Sequence, residues 1–279
     1  MKKIIVCGAG TMGTGIAEAT ARGGYRTVLY EPQAEALLKA EAGIAKNLQQ
    51  LVDKDKISQS EMKDILSRIS FTPDLEQCRG ELIIEAIIED IPAKKDLFHR
   101  LAALNSISTI LASNTSSLSI AAIAETIPEP ERVCGMHFFN PAQVMKLVEL
   151  VKAPSTSVET IRELKSVVIS LGKVPVVCHD APGFIVNRVA RHYYLEALQL
   201  LEENSTTVEQ ADRILENAGF KMGPFRLMDL IGNDINFTVT KSLYEACGKP
   251  VRFKPSSIQE EKIQKGELGR KTGKGYYSY

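Results

Sequence analysis

A histidine and a glutamate occupy positions where an apolar strand would ordinarily carry neither. His137 lies among apolar and aromatic residues at the end of a predicted strand, and Glu149 is the third residue of the apolar run 147–151. A lone histidine in such surroundings is more often a satisfied core residue. A carboxylate inside a strand needs a partner, however, and an imidazole supplies one, because the acid fixes its tautomer and stabilises its cation. Together the two residues predict a proton-transferring pair.

The first thirty residues carry the spacing of a dinucleotide-binding turn. A short apolar run at 3–7 leads into G-x-G-x-x-G, and a helix is predicted over 13–22. The turn residues are Gly8, Gly10, Thr11, Met12 and Gly13. Glycines at these positions permit a tight turn, close approach of a pyrophosphate and close packing of the helix on the strand. The helix N-terminus then offers free N–H groups to the phosphates.

An acid after the second predicted strand completes this pattern. Glu31 follows the strand 26–30, eighteen positions after Gly13, where it can hydrogen-bond the hydroxyls of an adenosine ribose. Glycines alone also close ordinary strand-to-helix turns, but the strand, helix and acid together favour cofactor binding. Glu31 repels a ribose phosphate, and no Arg or Lys follows it until Lys39. We therefore expect NAD rather than NADP.

Two further polar groups follow predicted elements. The cluster 113–117 comes directly after an apolar strand. Its hydroxyls could cap a short helix, which is the favoured interpretation for most of them, or one of them could face a cleft. Asn187 lies early in a long predicted helix, shortly after Pro182 and Gly183. It could be a surface amide, but its position at a predicted domain junction favours a role in a cleft.

The elements that would position these residues alternate as in a doubly wound α/β fold. Further strands are predicted at 69–72, 82–85, 109–112, 133–137, 146–150 and 174–178, with helices most clearly at 93–104 and 157–171. Residues 33–68 predict two helices where a crossover needs one, so we expect an inserted helical hairpin. Its charged join, 52–56, could hold a phosphate-bearing tail, although a solubilising turn is the favoured interpretation.

The pattern changes after Pro182 and Gly183. Helices are predicted at 184–203 and 234–247, and a capping box at Thr206 and Glu209 opens another between them. We therefore predict a Rossmann-type domain over 1–183, with a mostly parallel sheet, and a smaller all-α domain over 184–279. The second domain is small and apolar on its outer faces, so we expect it to pack on its own copy in a homodimer.

The amino-acid composition limits the kinds of partner and site that the chain is expected to have. The 279 residues contain 34 Lys and Arg and 34 Asp and Glu, so no global field favours nucleic acid or a membrane surface. With neither a leader before the first strand nor a run of membrane-spanning length, we expect a cytoplasmic location. The five cysteines are scattered without a C-x-x-C pair, which favours buried reduced thiols over disulfides or a metal site.

Five motifs in chain order resemble the NAD-dependent 3-hydroxyacyl-CoA dehydrogenases, and in particular the 3-hydroxybutyryl-CoA dehydrogenases. They lie at 8–17, 114–118, 137–141, 146–149 and 182–188, and the similarity covers essentially the whole chain. The resemblance implies oxidation of a (3S)-3-hydroxyacyl-CoA to a 3-oxoacyl-CoA with formation of NADH. It implies a catalytic set with four members: Ser116, His137, Glu149 and Asn187.

The roles follow from the same resemblance. His137 would accept the proton of the β-hydroxyl, Glu149 would orient and balance the imidazole, and Ser116 and Asn187 would hold oxygens of the acyl group. Besides the turn, the implied dinucleotide contacts are Glu31, Glu89, Lys94, Ser116, Asn140 and Lys271. The implied contacts of the coenzyme A tail are Asn47, Lys54 and Ser116, although the hairpin lacks several of the family's basic residues.

Stretches 188–194 and 227–234 look most like bacterial members linked to aromatic-acid breakdown, which oxidise a dicarboxylic acyl-CoA. Arg191 could serve a distal carboxylate, but a helix-surface arginine is the favoured interpretation. Two alternatives to the whole assignment are a β-hydroxyacid dehydrogenase with a substrate lacking coenzyme A, and a non-enzymatic NAD-binding protein such as a crystallin or sensor. The former class uses a lysine for proton transfer, and retention of all four catalytic positions argues against the latter.

Overall fold

The computed structural model describes residues 2–279, and the chain divides into two compact units, Met1–Ala181 and Pro182–Tyr279. The first unit is an α/β fold built on one eight-stranded sheet, and the second is helical. The predicted fold class, a Rossmann-type domain followed by a smaller all-α domain, is confirmed.

The sheet has strand order β3-β2-β1-β4-β5-β6-β7-β8. Its strands are β1 Lys3–Cys7, β2 Arg26–Tyr30, β3 Ile69–Thr72, β4 Leu82–Glu85, β5 Ile110–Ser113, β6 Val133–Phe138, β7 Leu147–Lys152 and β8 Val174–His179. All neighbouring pairs are parallel except β6 with β7. Because chain order reverses at β1, which lies between β2 and β4, a crevice for ligand is expected at the carboxyl end of β1.

Six helices belong to this unit: α1 Thr11–Arg22, α2 Ala34–Val52, α3 Gln59–Ser67, α4 Ile91–Leu104, α5 Ile120–Ala124 and α6 Val158–Ser170. The α2–α3 pair lies between β2 and β3, which confirms the inserted hairpin. It packs on the core through one face of α2, formed by Leu37, Ala40, Ile44 and Leu48. The spacing of three or four residues places these side chains on one stripe.

The second unit contains α7 Val186–Glu202, α8 Val208–Asn217, α9 Pro224–Ile231, α10 Asn233–Ala246 and α11 Ser257–Gln264. Tyr194 and Leu198 of α7 pack with Phe225 and Met228 of α9 in its core. The Asp229 carboxylate accepts hydrogen bonds from the backbone N–H groups of residues 276 and 277, both at 2.9 Å. A buried acid thus fastens the C-terminal segment to α9.

Some predicted boundaries were wrong by a few residues. Helix α1 begins at Thr11 rather than 13, because Thr14 N already donates to Gly10 O at 2.9 Å. The capping box of α8 uses Thr207 and Gln210 rather than Thr206 and Glu209, since the Thr207 hydroxyl accepts from Gln210 N at 3.3 Å. All five cysteines are free and four are buried, as predicted. Within residues 2–279, no helix is long and apolar enough to cross a membrane.

Candidate active site

The predicted proton-transferring pair is brought together by the antiparallel pairing of β6 with β7. His137 on β6 lies directly opposite Glu149 on β7, with Nδ1 at 2.8 Å from Oε2. The two residues are 6% and 1% exposed. A buried carboxylate at Nδ1 fixes the ring so that a neutral imidazole keeps its basic nitrogen at Nε2. This geometry is that of a base supported by an acid.

The end of β6 is held by its neighbours. Phe138 N donates to the side-chain Oδ1 of Asn114 at 2.8 Å, so the residue after β5 fixes the carboxyl end of β6. The Phe139 ring lies against the imidazole of His137, with centroids 4.5 Å apart. The sequence marked Asn114 only as part of a motif, and its bond to the next strand explains why an amide stands there.

The segment after β5 is organised by one carboxylate. Glu89 Oε1 accepts hydrogen bonds from Thr115 Oγ1 at 2.5 Å and from Ser116 N at 3.0 Å, and Ser117 Oγ lies at 3.3 Å. Burial raises the pKa of Glu89, but the hydrogen bond from Thr115 and the charge of Lys94 outweigh it, so the net pKa lies below its ordinary value. Glu89, as an anion, therefore holds the backbone of Ser116 in place.

Lys94 connects that carboxylate to the sheet. Its ammonium, 1% exposed, lies 2.6 Å from Glu85 Oε1 and 3.3 Å from Glu89 Oε2. Glu85, which ends β4, also accepts from Ser113 Oγ and from Ile87 N, each at 2.7 Å. The predicted cofactor contacts Glu89 and Lys94 are thus brought together, with the Lys94 charge engaged inside the protein. Sequence reasoning missed Glu85, although an acid at the end of an apolar strand resembles the signal that marked Glu31.

The glycine turn lies at the carboxyl end of β1, and its glycines are there for two different reasons. Gly8 has a φ of +102°, and a Cβ built at Gly13 would lie 1.7 Å from Gly8 O. The chain itself therefore requires both. A Cβ at Gly10, by contrast, meets no described atom within 4 Å, so that position is open to a ligand. The first turn of α1 carries no acid, which leaves its positive dipole end available to phosphate.

Glu31 lies beside this turn, as predicted. Its Oε2 accepts from Ala9 N at 3.1 Å, and its Oε1 from Gln33 N at 3.3 Å. The acid at the end of β2 therefore faces the glycine turn at the switch point of the sheet. This placement suits a carboxylate that accepts the hydroxyls of a ribose.

A cavity of about 410 Å³ opens next to the turn. Its lining consists of Ala9, Gly10, Thr11, Thr14, Gly15, Lys39, Ala40, Asn47, Asn140, Pro141 and Gln143. The structure thus brings the predicted cofactor residue Asn140 and the predicted coenzyme A residue Asn47 to one cavity. Lys54 is exposed in the α2–α3 turn and is not part of this lining. Lys39 also lines the cavity; in the sequence it stands out only as the first basic residue after Glu31.

The remaining predicted residues belong to the second unit. Asn187 lies in the first turn of α7, and Lys271 Nζ pairs with Asp234 at 2.6 Å. Arg191, one turn after Asn187, is only 4% exposed, so the interpretation of a helix-surface arginine is wrong. Its guanidinium donates hydrogen bonds to Asn236 and Thr240 of α10.

Sequence comparison places both units in one family. Residues 3–181 match the 3-hydroxyacyl-CoA dehydrogenase NAD binding domain, and residues 183–279 match the C-terminal domain of the same family. The mitochondrial hydroxyacyl-coenzyme A dehydrogenase of Sus scrofa is 37% identical over 287 residues, covering 100% of this chain and 91% of that protein. The chain belongs to the 3-hydroxyacyl-CoA dehydrogenase family.

Two bacterial members are also similar. The 3-hydroxyadipyl-CoA dehydrogenase of Escherichia coli is 46% identical over 100% of this chain, which spans 59% of that protein's length. The crystal structure of (S)-3-hydroxybutyryl-CoA dehydrogenase from Ralstonia eutropha superimposes with a TM-score of 0.95 at 34% identity, covering 99% of this chain and 98% of that one. The predicted family and its cofactor NAD are confirmed, and the open Gly10, the free first turn of α1 and the placement of Glu31 suit that dinucleotide.

Proposed function

We propose that this chain transfers a hydride from the β-carbon of a (3S)-3-hydroxyacyl-CoA to NAD⁺, giving a 3-oxoacyl-CoA and NADH. The observation that carries the proposal is the buried His137–Glu149 pair in the unit that matches the family's NAD-binding domain. Oxidation of an alcohol by NAD⁺ releases one hydride and one proton. The cofactor takes the hydride, and the protein must supply a base for the proton.

His137 is proposed to be that base. In oxidation its Nε2 accepts the proton of the β-hydroxyl, and in reduction it returns the proton to the carbonyl oxygen. Glu149 orients the ring and stabilises the imidazolium that forms, because a carboxylate 1% exposed interacts strongly with a charge 2.8 Å away. A positioned general base contributes about a hundred- to ten-thousand-fold in rate.

Ser116 and Asn187 are proposed to hydrogen-bond oxygens of the acyl group so that the β-carbon is aimed at the nicotinamide. The contacts of Glu89 with Thr115 and Ser116 support this assignment, because they fix the backbone that carries the Ser116 hydroxyl. Lys271, which like Asn187 belongs to the second unit, is proposed to contact the dinucleotide. The division of labour between domains 1–183 and 184–279 also stays a prediction.

The substrate is proposed to carry coenzyme A. The relatives are named for 3-hydroxyadipyl-CoA, hydroxyacyl-coenzyme A and 3-hydroxybutyryl-CoA, and Asn47 and Lys39 line the cavity beside the glycine turn. Lys54, in the exposed α2–α3 turn, is the predicted contact of the phosphate-bearing end of the tail. A cation there would attract coenzyme A phosphates from solvent.

The second unit is proposed to form a homodimer with its own copy. Val189, Ile214, Phe220, Ile235 and Val251 are large apolar side chains that are at least half exposed in the single chain. Apolar side chains left on the surface of a small helical unit are a common basis for association.

NADH formation from 3-hydroxybutyryl-CoA tests the function, with free 3-hydroxybutyrate as the comparison. We expect turnover of the thioester and a kcat/KM for the free acid lower by about a hundredfold or more, since the coenzyme A contacts are lost. Equal rates would favour the β-hydroxyacid dehydrogenase alternative. Binding of NADH without turnover of any 3-hydroxyacyl-CoA would favour a non-enzymatic protein.

A further inference from the structure

Arg191 is a buried cation on α7. Its side chain donates three hydrogen bonds to neutral groups: from Nε to Asn187 O at 3.2 Å, and from Nη1 to Asn236 O at 2.9 Å and Thr240 Oγ1 at 3.0 Å. The guanidinium carbon also lies 4.8 Å from the centroid of the Tyr194 ring. Burial lowers the pKa of Arg191 to about 10, so the group is charged at neutral pH.

No carboxylate of residues 2–279 forms an ion pair with this guanidinium. Of the other buried cations, Lys94 lies 2.6 Å from Glu85 and Arg132 lies 3.4 Å from Glu129. Lys173 is held by two backbone carbonyls at 2.7 Å, and neither of these contacts is to a carboxylate. A charge taken out of water costs free energy unless an opposite charge compensates it. Arg191 has hydrogen-bond acceptors but lacks a counter-ion.

One edge of the guanidinium makes no hydrogen bond to the described part of the chain. The outer nitrogen, Nη2, donates no hydrogen bond to the described part of the chain, and it is not one of the fully enclosed unpaired polar atoms. A planar guanidinium offers its free donors in a geometry that matches a carboxylate. The site thus has a positive charge, an available donor and a fixed orientation.

The position of Arg191 relates this site to the proposed substrate. Arg191 follows Asn187 by four residues, so the two side chains leave the same face of α7, about 6 Å apart along the axis. If Asn187 binds an oxygen of the acyl group, as in the proposed function on which this inference rests, Arg191 lies a few methylene groups away. That spacing suits a short acyl chain with a charged end.

We propose that Arg191 is a specificity-determining residue that binds the terminal carboxylate of a dicarboxylic 3-hydroxyacyl-CoA. The carboxylate supplies the counter-ion that the chain lacks, and binds Nη2 while Nη1 and Nε keep their bonds to α10 and α7. A substrate of the same length that ends in a methyl group leaves the guanidinium without a counter-ion.

A purely structural role is the competing explanation, because Arg191 connects α7 to Asn236 and Thr240 of α10. The test therefore compares two substrates of equal length, 3-hydroxyadipyl-CoA and 3-hydroxyhexanoyl-CoA, in the wild type, Arg191→Met and Arg191→Lys. Arg213→Met, which removes an exposed arginine from α8, is the matched control.

We expect the wild type to prefer the adipyl substrate by about ten- to a hundredfold in kcat/KM, as for a charge-assisted pair. Arg191→Met should abolish this preference while keeping the hexanoyl rate within a few-fold, Arg191→Lys should keep part of it, and Arg213→Met should keep all of it. Equal losses on both substrates in Arg191→Met, or a wild type without preference, would overturn the proposal.

A second measurement covers the case in which Arg191→Met does not fold. Adipyl-CoA and hexanoyl-CoA are compared as inhibitors of 3-hydroxybutyryl-CoA oxidation by the wild type. Tighter inhibition by adipyl-CoA, weakened by added salt, supports the carboxylate site, and equal inhibition contradicts it. A wild type that oxidises 3-hydroxybutyryl-CoA without this preference refutes the Arg191 assignment alone, whereas absence of any turnover refutes the proposed function.

Discussion

Two buried glutamates of the first unit each pair with a basic side chain. Glu149 and Glu85 are 1% and 0% exposed on β7 and β4, and each has a partner within 3 Å: the His137 imidazole and the Lys94 ammonium. The apolar run around Glu149 made its pairing with a histidine predictable. The Glu85 pair was not predicted, because the family resemblance marked Lys94 as a dinucleotide contact and nothing in the sequence connected it with Glu85.

The glycine turn gives a prediction at this scale. Gly10→Ala should change the free energy of unfolding by less than about 1 kcal/mol, because its Cβ would meet no described atom within 4 Å, yet should weaken NAD⁺ binding about tenfold or more. Gly13→Ala should destabilise the fold by about 3 kcal/mol or more through overlap with Gly8 O. Urea unfolding and calorimetric titration measure the two effects. Equal loss of stability in both variants would contradict this separation.

The Glu89 carboxylate gives a pH prediction. Its pKa is lower in the folded chain than the ordinary 4.5, so the unfolded chain binds more protons in the window below that value. The stability that Glu89 contributes is therefore present above this window and is lost as pH falls through the lowered pKa. Urea unfolding of the wild type and Glu89→Gln at several pH values checks this. The difference between them should be constant near neutral pH and shrink in acid, and a constant difference throughout would contradict it.

At the scale of elements, the carboxyl ends of β4, β5 and β6 are joined by side chains. Glu85 binds Ser113 Oγ, Lys94 of α4 joins Glu85 to Glu89, and Asn114 binds Phe138 N. The alternation of strands and helices was predictable because each element has its own hydrophobic period. The antiparallel direction of β7, which sets His137 opposite Glu149, could not be predicted, because strand pairing depends on contacts distant in sequence.

Removing Lys94 should therefore be far more damaging than removing its sequence neighbour. Lys94→Met leaves the fully buried Glu85 carboxyl group without its cationic partner, and we expect a loss of about 3–5 kcal/mol in the free energy of unfolding. Lys95→Met removes only a surface pair with Glu125, so its effect should be small. Urea unfolding of the two variants provides the comparison. Similar losses in both would show that Glu85 and Lys94 are not coupled as described.

At the scale of the whole molecule, the family match covers both units, at 3–181 and 183–279. Sequence motifs near Asn114, His137 and Pro182 are sufficient to indicate this family, because functional residues are concentrated at strand ends and helix starts. The burial of Arg191 could not be predicted in the same way, since the helical period alone does not say which face of α7 the rest of the second unit covers.

The oligomeric state is a prediction at this scale. We expect a mass in solution of twice 30.7 kDa by sedimentation equilibrium, with the exposed apolar residues of the second unit at the interface. Val251→Glu, at a residue 87% exposed, tests that location, because a charge buried in an interface is costly. A monomeric wild type would contradict the dimer, and an unchanged dimer in Val251→Glu would place the interface elsewhere.

The most direct test of the catalytic pair is the turnover of 3-hydroxybutyryl-CoA by His137→Gln, Glu149→Gln and the double variant. His99→Gln, an exposed histidine of α4, serves as the control. We predict a kcat lower by about a hundred- to ten-thousand-fold in His137→Gln, a smaller loss in Glu149→Gln, and no further loss in the double variant, because Glu149 acts through His137. A His137→Gln enzyme with a kcat within a few-fold of the His99→Gln control would contradict the account.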